Sequence, residues 1–279
     1  QLAQALHLSS DDVSVNGKMM AALQSQMAKR KSPNRKQKLS VIIPFRDAWK
    51  MTQNCVESLI KQEHTYFDLS ICLIDNGSCE NETKIGLAKI QQNWEVIAGG
   101  TLDNFSKLHV IRDDRPFNFS QLNNSAVDFL TSSPDVSKPD YLLFLNNDTL
   151  WETPNTLDRL VYFASNFEHI GAVGATLLYS NSHVQHLFLA PGVKLAGAHP
   201  CRGIKFDREH SWYSDPRPVP AVTGALLLVS TTHFQDIRGF DEGLATSCQD
   251  LDLCLKLQEQ GLQNWVLPDC QVRHFETVT

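Results

Sequence analysis

From Lys38 onward, short β-branched and apolar runs alternate with segments whose apolar residues recur at helical spacing, and this pattern narrows the fold more than any other feature. Leu39 to Ile43, Leu69 to Ile74, Leu108 to Ile111, Tyr141 to Leu145, Ile170 to Tyr179, Ala221 to Val229 and Trp265 to Leu267 read as strands. One-sided helices are expected where Cys55, Val56, Leu59 and Ile60 align, again at Leu122, Ala126, Phe129 and Leu130, and again at Leu157, Leu160, Val161 and Ala164. A last helix, Leu251 to Gln260, is closed by Gly261. Alternation of this kind builds βαβ units, so the expected class is α/β with a mostly parallel central sheet flanked by helices. Residues 1–38 read as a lead-in or linker, with helical stripes at Leu2, Leu6, Met19, Met20, Leu23 and Met27, and residues 39–279 as the folded domain.

A chain of 279 residues with 42% hydrophobic content can bury a sizeable core. Its net charge of −6 argues against a nucleic-acid partner. Positive charge is concentrated in residues 29–38, at Lys29, Arg30, Lys31, Arg35, Lys36 and Lys38. That run is either a solvated linker or a peripheral contact with an anionic membrane, where each basic residue contributes on the order of 1 kcal/mol. The 7 cysteines include no CxxC pair, and Cys55, Cys72 and Cys254 sit in apolar segments, as reduced core residues do. No stretch is long and apolar enough to span a membrane, and no secretory signal is visible. Glycosylation triplets at Asn76, Asn118, Asn123 and Asn147 fall within the segments assigned below to the active site, which favours a cytosolic, bacterial-type setting at the inner face of the membrane. Gln1 stands in place of an initiator methionine, as in a piece of a longer protein.

Acidic residues recur where strands end: Asp47 after the first, Asp75 after the second and Asp148 after the fourth. Ligands of open α/β sheets bind at the carboxyl ends of the strands, so these acids are expected around one crevice. A carboxylate there, joined by diphosphate oxygens, suits Mg²⁺ or Mn²⁺. Each also has a plain structural reading. Asp47 could cap the next helix, Asp75 and Gly77 could form a turn, and so could Asn146, Asn147 and Asp148. Asp250 and Asp252 lie two apart on the last helix and cannot face the same way; Asp250 projects into the crevice, or both serve as capping acids. The turn after the first strand, Pro44-Phe45-Arg46-Asp47, lacks the glycines of a dinucleotide fingerprint, and no P-loop is present.

Val41-Ile42-Ile43-Pro44, Ile74-Asp75-Asn76-Gly77-Ser78, Leu145-Asn146-Asn147-Asp148-Thr149, Val222-Thr223-Gly224-Ala225, Gly239-Phe240-Asp241-Glu242 and Asp250-Leu251-Asp252-Leu253-Cys254-Leu255 occur in this order. Together they resemble the motifs of family 2 glycosyltransferases of the GT-A fold, over about residues 39–276. Pro116 to Ser120 with Asn123 and Asn124, Gln185-His186, and Gly197-Ala198-His199 with Arg202-Gly203 look most like bacterial members that build O-antigens and other surface polysaccharides.

The resemblance implies a Rossmann-like sheet and an inverting transfer from a nucleotide-diphosphate sugar, UDP- or dTDP-linked, to a glycan or lipid-linked acceptor. It places Pro44, Phe45, Arg46, Asp47, Asp75, Asn118, Asn124 and Asn147 around the nucleotide, with Asp75 accepting from the base. Asp148, with Asn146 at the first position of the DxD element and His274 beyond the last strand, would hold Mn²⁺ or Mg²⁺. Asn146 departs from that element's usual Asp. Asp250 matches the catalytic base, and Gln249 replaces the Glu common before it, which removes a neighbouring negative charge. Thr223, Gly224, His199, Arg202 and Asp252 fall to the donor and acceptor cleft, with His186 nearby in the irregular excursion where specificity usually resides. Two other readings stay open: a catalytically silent glycan-binding or scaffolding domain of a larger polymerase, and a sugar-phosphate nucleotidyltransferase releasing pyrophosphate.

Overall fold

The computed structural model describes residues 35–97, 105–192, 197–207 and 215–276. Strands β1 (Gln37–Phe45), β2 (Phe67–Asp75), β3 (Leu108–Arg112) and β4 (Tyr141–Leu145) form the first half of the sheet, all parallel, in the order β3-β2-β1-β4. The sheet continues through β9 (Leu226–Ser230), β6 (Ile170–Leu178), β10 (Gln263–His274) and β5 (Thr149–Leu150). Two short strands branch off, β7 (Val184–His186) on β6 and β8 (Arg217–Val219) on β10. The longest pairings, β1 with β2 and β6 with β10, are parallel, whereas β9 enters antiparallel between β4 and β6.

Side-chain alternation along β1 sorts the core into two layers. Leu39, Val41, Ile43 and Phe45 face one side and Ile42 the other, all of them buried. Helices α1 (Trp49–Ile60) and α5 (Thr156–Asn166) pack on the first face, beside α2 (Asn81–Gln92) and the single turn α3 (Trp94–Ile97). Helices α4 (Phe119–Ser132), α6 (Thr231–Asp236) and α7 (Gln249–Glu259) cover the second. Thr52, Cys55, Val56 and Leu59 make the buried stripe of α1 at the spacing an amphipathic helix requires. In α4, Leu122, Ala126 and Leu130 are buried as expected, but Phe129 is on the partly exposed face.

Several boundaries differ from the sequence reading for identifiable reasons. Pro44 does not stop β1: pairing with β4 ends at Ile42, whereas the β2 ladder runs to Phe45, whose carbonyl accepts from Asn76 N–H at 2.8 Å. Pro44 therefore faces the side where no ladder bond is asked of it. The ninth strand begins at Leu226, not Ala221; residues 221–225 form a loop, and this places Thr223 and Gly224 beside the end of β4. The last strand runs on past Leu267, through an irregularity between Leu267 and Gln271, to His274. Helix α2 was not foreseen at all.

Of the basic run, Arg35 pairs with Asp140 at 3.3 Å, Lys36 with Asp68 at 3.4 Å, and Lys38 donates to Ser137 Oγ at 2.6 Å. Lys29, Arg30 and Lys31, and the apolar stripes before them, lie outside the described residues. All cysteines are free thiols. Burial pushes Cys55, Cys72 and Cys270 up to about 12, so they stay protonated and inert.

One fully buried amide ties the second half of the sheet to the helix that carries Asp250. Asn264 Oδ1 accepts from Ala172 N–H at 2.9 Å, and Nδ2 donates to the carbonyls of Pro220 at 3.0 Å and Cys254 at 2.9 Å. Gly171 leaves room for it, since a Cβ there would sit 2.7 Å from Asn264 Oδ1. Asn264→Leu, of similar size, leaves one N–H and two carbonyls without partners. It is expected to cost at least about 3 kcal/mol in urea unfolding, at about 1–3 kcal/mol for each of the three buried groups left unsatisfied.

Candidate active site

The turn after β4 and the end of β10 are brought together by backbone pairing. Strand β5 runs antiparallel to the last residues of β10, with His274 opposite Thr149, and Phe275 N–H donates to the Asp148 carbonyl at 3.0 Å. This lays His274 Nε2 3.0 Å from Asp148 Oδ1 and 3.3 Å from Asn146 Nδ2. Residues 146–148 do form the turn that their composition suggests. It is pinned by Thr149 Oγ1, which donates to the Asn146 carbonyl at 3.0 Å.

Gln185, in β7, clasps His274 from behind. Its Nε2 donates to the His274 carbonyl at 3.3 Å, so the other amide atom, Oε1, faces His274 Nδ1 at 2.5 Å as an acceptor. Nδ1 therefore carries a proton, and in the neutral ring the lone pair is on Nε2, directed at Asp148. A lone-pair nitrogen facing a carboxylate at this distance calls for positive charge, supplied by a proton or a shared cation. One carboxylate oxygen and one imidazole nitrogen with a buried partner behind it fit Mn²⁺ or Mg²⁺ whose remaining positions come from diphosphate and water. Among the described residues no group of three or more His, Cys, Asp and Glu could hold a metal ion. Asn146 turns its amide nitrogen to His274.

Two cavities adjoin this corner. The first, about 330 Å³, is lined by Pro44, Phe45, Arg46, Asn76, Phe117, Phe119 and residues 146–148. The second, about 420 Å³, holds Asp250, Thr223, Gly224, His186, His199, Arg202, Gln185, Gln249 and His274. Phe117, Phe119 and Asn146 line both, so the two form one cleft across the strand ends. A larger groove of about 850 Å³ lies between α1 and α2 and contains none of these residues.

Asp250, in the first turn of α7, accepts from Gly224 N–H at Oδ2 and from Leu251 N–H at Oδ1, each at 2.9 Å. A Cβ on Gly224 would press the Phe119 ring at 3.2 Å. The helix is turned into the cleft by Cys248, which holds a left-handed conformation at φ 67. Asp47 and Ala48, at φ 50 and 45, do the same after β1. Left-handed non-glycine residues cost of order 1–3 kcal/mol each, and here they flank the site.

Other residues named from the sequence are placed differently. Asp252 points away from the cleft and pairs with Lys256 at 2.7 Å, one turn on. Asn118 is the N-cap of α4, accepting from Gln121 N–H at 3.0 Å and donating to the Glu242 carbonyl at 2.9 Å. Asn124 brackets the Phe240 backbone from both sides. Neither lines the cleft; short amides that cap or bracket a backbone look the same in sequence as amides that contact a ligand. Asp47 Oδ1 accepts from Cys79 and Glu80 N–H, each at 2.8 Å, and so holds the loop before α2 rather than capping α1. Asp75 is buried with one oxygen on Ser78 N–H at 2.8 Å and the other on Arg112 at 2.6 Å. Its loop partner Asn76, not Asp75, reaches the first cavity. Arg202 is held by Tyr179 at 2.6 Å and Glu276 at 2.9 Å at the cleft wall. Gln185, which the sequence offers only as the neighbour of His186, is brought against His274 by the fold.

The chain belongs to glycosyl transferase family 2, whose model matches residues 40–187. It is 30% identical over 247 residues to the O-antigen biosynthesis protein RfbC of Myxococcus xanthus, covering 87% of this chain and 18% of RfbC. It is 27% identical over 164 residues to the rhamnosyltransferase WbbL of Escherichia coli, covering 57% of this chain and 61% of WbbL. The chain thus spans less than a fifth of RfbC and about three-fifths of WbbL. The crystal structure of GalNAc-T7 with UDP, GalNAc and Mn²⁺ superposes with a TM-score of 0.66 at 17% identity, covering 88% of this chain and 45% of that one. The fold is accordingly that of GT-A glycosyltransferases.

Gln185→Leu removes the clasp but no metal ligand. UDP affinity measured by calorimetry with Mn²⁺ is expected to fall about 10–100-fold, and affinity without metal to stay as it was. Asn118→Ala is expected to cost about 1 kcal/mol of stability as a lost cap while leaving UDP affinity in place.

Proposed function

We propose that the chain is the catalytic domain of an inverting, metal-dependent glycosyltransferase, which moves a sugar from a UDP- or dTDP-linked donor to a hydroxyl of a growing glycan or lipid-linked acceptor in bacterial surface polysaccharide synthesis. The observation that carries this reading is the single cleft in which Asn146 joins the Asp148 and His274 corner to the cavity of Asp250. Pathway and acceptor class follow the names of the relatives, and the exposed aromatic Phe117 with Pro44, Phe45 and Arg46 forms a wall suited to a nucleoside. Among the described residues no helix is long and apolar enough to cross a membrane. We place the domain at the inner face of the cytoplasmic membrane, where Lys29, Arg30 and Lys31 remain for anionic lipid.

Asp148 and His274 would hold the Mn²⁺ or Mg²⁺, and the ion, when bound, offsets negative charge on the departing nucleoside diphosphate. Arg46 at the mouth of the first cavity adds a cation on the same side. Asp250 takes the proton from the acceptor hydroxyl as its oxygen attacks the anomeric carbon from the face opposite the diphosphate. The Gly224 and Leu251 amides aim that carboxylate. Asp75, Asp47 and Asn76 position the strand-end loops against the nucleotide, with the Asp75 carboxylate already shared with Arg112.

A screen of nucleotide sugars with Mn²⁺, read as released nucleoside diphosphate, tests the proposal. Turnover abolished by EDTA supports it. Pyrophosphate release would make the chain a nucleotidyltransferase, and nucleotide binding without turnover a silent domain. Asp250→Asn is expected to lower kcat by about 10² or more with donor affinity nearly unchanged, whereas Asp252→Asn costs stability and not chemistry. Near-parental turnover in Asp250→Asn would place the base elsewhere.

A further inference from the structure

His186 and His199 meet in the second cavity with Nδ1 facing Nδ1 at 2.9 Å and ring planes 75° apart. Two ring nitrogens at this distance need one proton between them, so one ring donates and the other accepts. The backbone of Thr223 decides which. Its N–H donates to His186 Nε2 at 3.2 Å, and an accepting nitrogen of a neutral ring carries no proton. The His186 proton is therefore on Nδ1 and is donated to His199 Nδ1, which leaves the His199 proton on Nε2.

Both rings are held neutral. Burial pushes His186 well below the usual histidine range, with His199 and His274 adding to the effect. His199 is lowered by burial first and then by Arg202, against the upward pull of Asp250 and Glu276. His199 Nε2–H has no partner among the described residues, and neither has the buried Oε1 of Gln249 in the same cavity. A neutral donor and a neutral acceptor beside the Asp250 carboxylate form a pattern that sugar hydroxyls satisfy, since each hydroxyl both gives and takes a hydrogen bond. A phosphate fits poorly there, because Arg202 is committed to Glu276 and Tyr179 and the other charges facing the site are carboxylates.

We propose that His186 is a positioning residue that fixes His199 as an Nε2–H donor to a hydroxyl oxygen of the acceptor sugar, next to the hydroxyl that Asp250 deprotonates. The placement of the acceptor rests on the reading of Asp250 as base; the tautomer does not.

Long-range ¹H–¹⁵N spectra of protein with ¹⁵N-labelled histidine rings test the tautomer without any sugar. The parent is expected to show His199 protonated at Nε2 and His186 at Nδ1. His186→Asn, whose amide nitrogen can replace the Nδ1 donor, keeps His199 in that form. His186→Gln, which offers Thr223 an acceptor but gives His199 no donor, releases it to a mixture. His199 protonated at Nδ1 in the parent, or a tautomer unmoved in His186→Gln, overturns the proposal. The acceptor contact is read with the nucleotide sugar that turns over in the screen and the glycan that accepts it. His199→Phe is expected to raise acceptor KM about tenfold, the loss of one hydrogen bond, with UDP affinity in Mn²⁺ kept within about twofold. His199→Gln, which keeps a donor near the Nε2 position, restores KM to within about threefold. Unchanged acceptor KM in His199→Phe, or equal damage from Phe and Gln, overturns the contact.

Discussion

The hydrogen bonds from Gln185 to both ends of His274 decide what the centre of this molecule can do. An amide nitrogen on a backbone carbonyl and an amide oxygen on Nδ1 leave one arrangement of protons, in which the imidazole lone pair is turned to Asp148. The sheet supplies the rest of the alignment. Strand β7, which carries Gln185, pairs with β6; β6 runs parallel to β10, which carries His274; and β5 crosses back to place Asp148 against it. The corner of Asp148 and His274 is thus assembled by ladder bonds between segments far apart in sequence.

The Asp250 side of the cleft is likewise held by hydrogen bonds from distant segments. A backbone N–H from Thr223 fixes His186, and the amides of Gly224 and Leu251 fix Asp250. Polar side chains in the cleft are therefore oriented by backbone groups that cannot change protonation state. The backbone itself carries the cost of this arrangement, in the left-handed Asp47, Ala48 and Cys248 that flank the cleft.

Much of this was legible in the sequence. The strand at Tyr141–Leu145 and the stripe of Leu157, Leu160, Val161 and Ala164 depend on local periodicity, and Asp148 and Asp250 on a strand end and a helix start; the two acids line the cleft. What escaped depends on partners distant in the chain. Asn264 bonds to three separate segments, Gln185 acquires meaning only beside His274, and the end of β10 is hidden because Pro268 and the polar residues after it break the apolar run. Asn118 and Asn124, which the resemblance places around the nucleotide, cap and bracket a backbone here, and both roles draw on the same amide chemistry. Asp47 and Asp75 were rightly placed at strand ends, yet their carboxylates are engaged in holding neighbouring loops.

The central claim is that Asp148 and His274 bind a divalent cation together with the donor diphosphate. Pulsed EPR of Mn²⁺ in the presence of UDP tests it most directly, because nitrogen coupling reports an imidazole in the coordination sphere. Coupling from a single imidazole nitrogen is expected in the parent and is expected to be absent in His274→Ala. Mn²⁺ bound with UDP but showing no nitrogen coupling, or coupling that persists in His274→Ala, would contradict it.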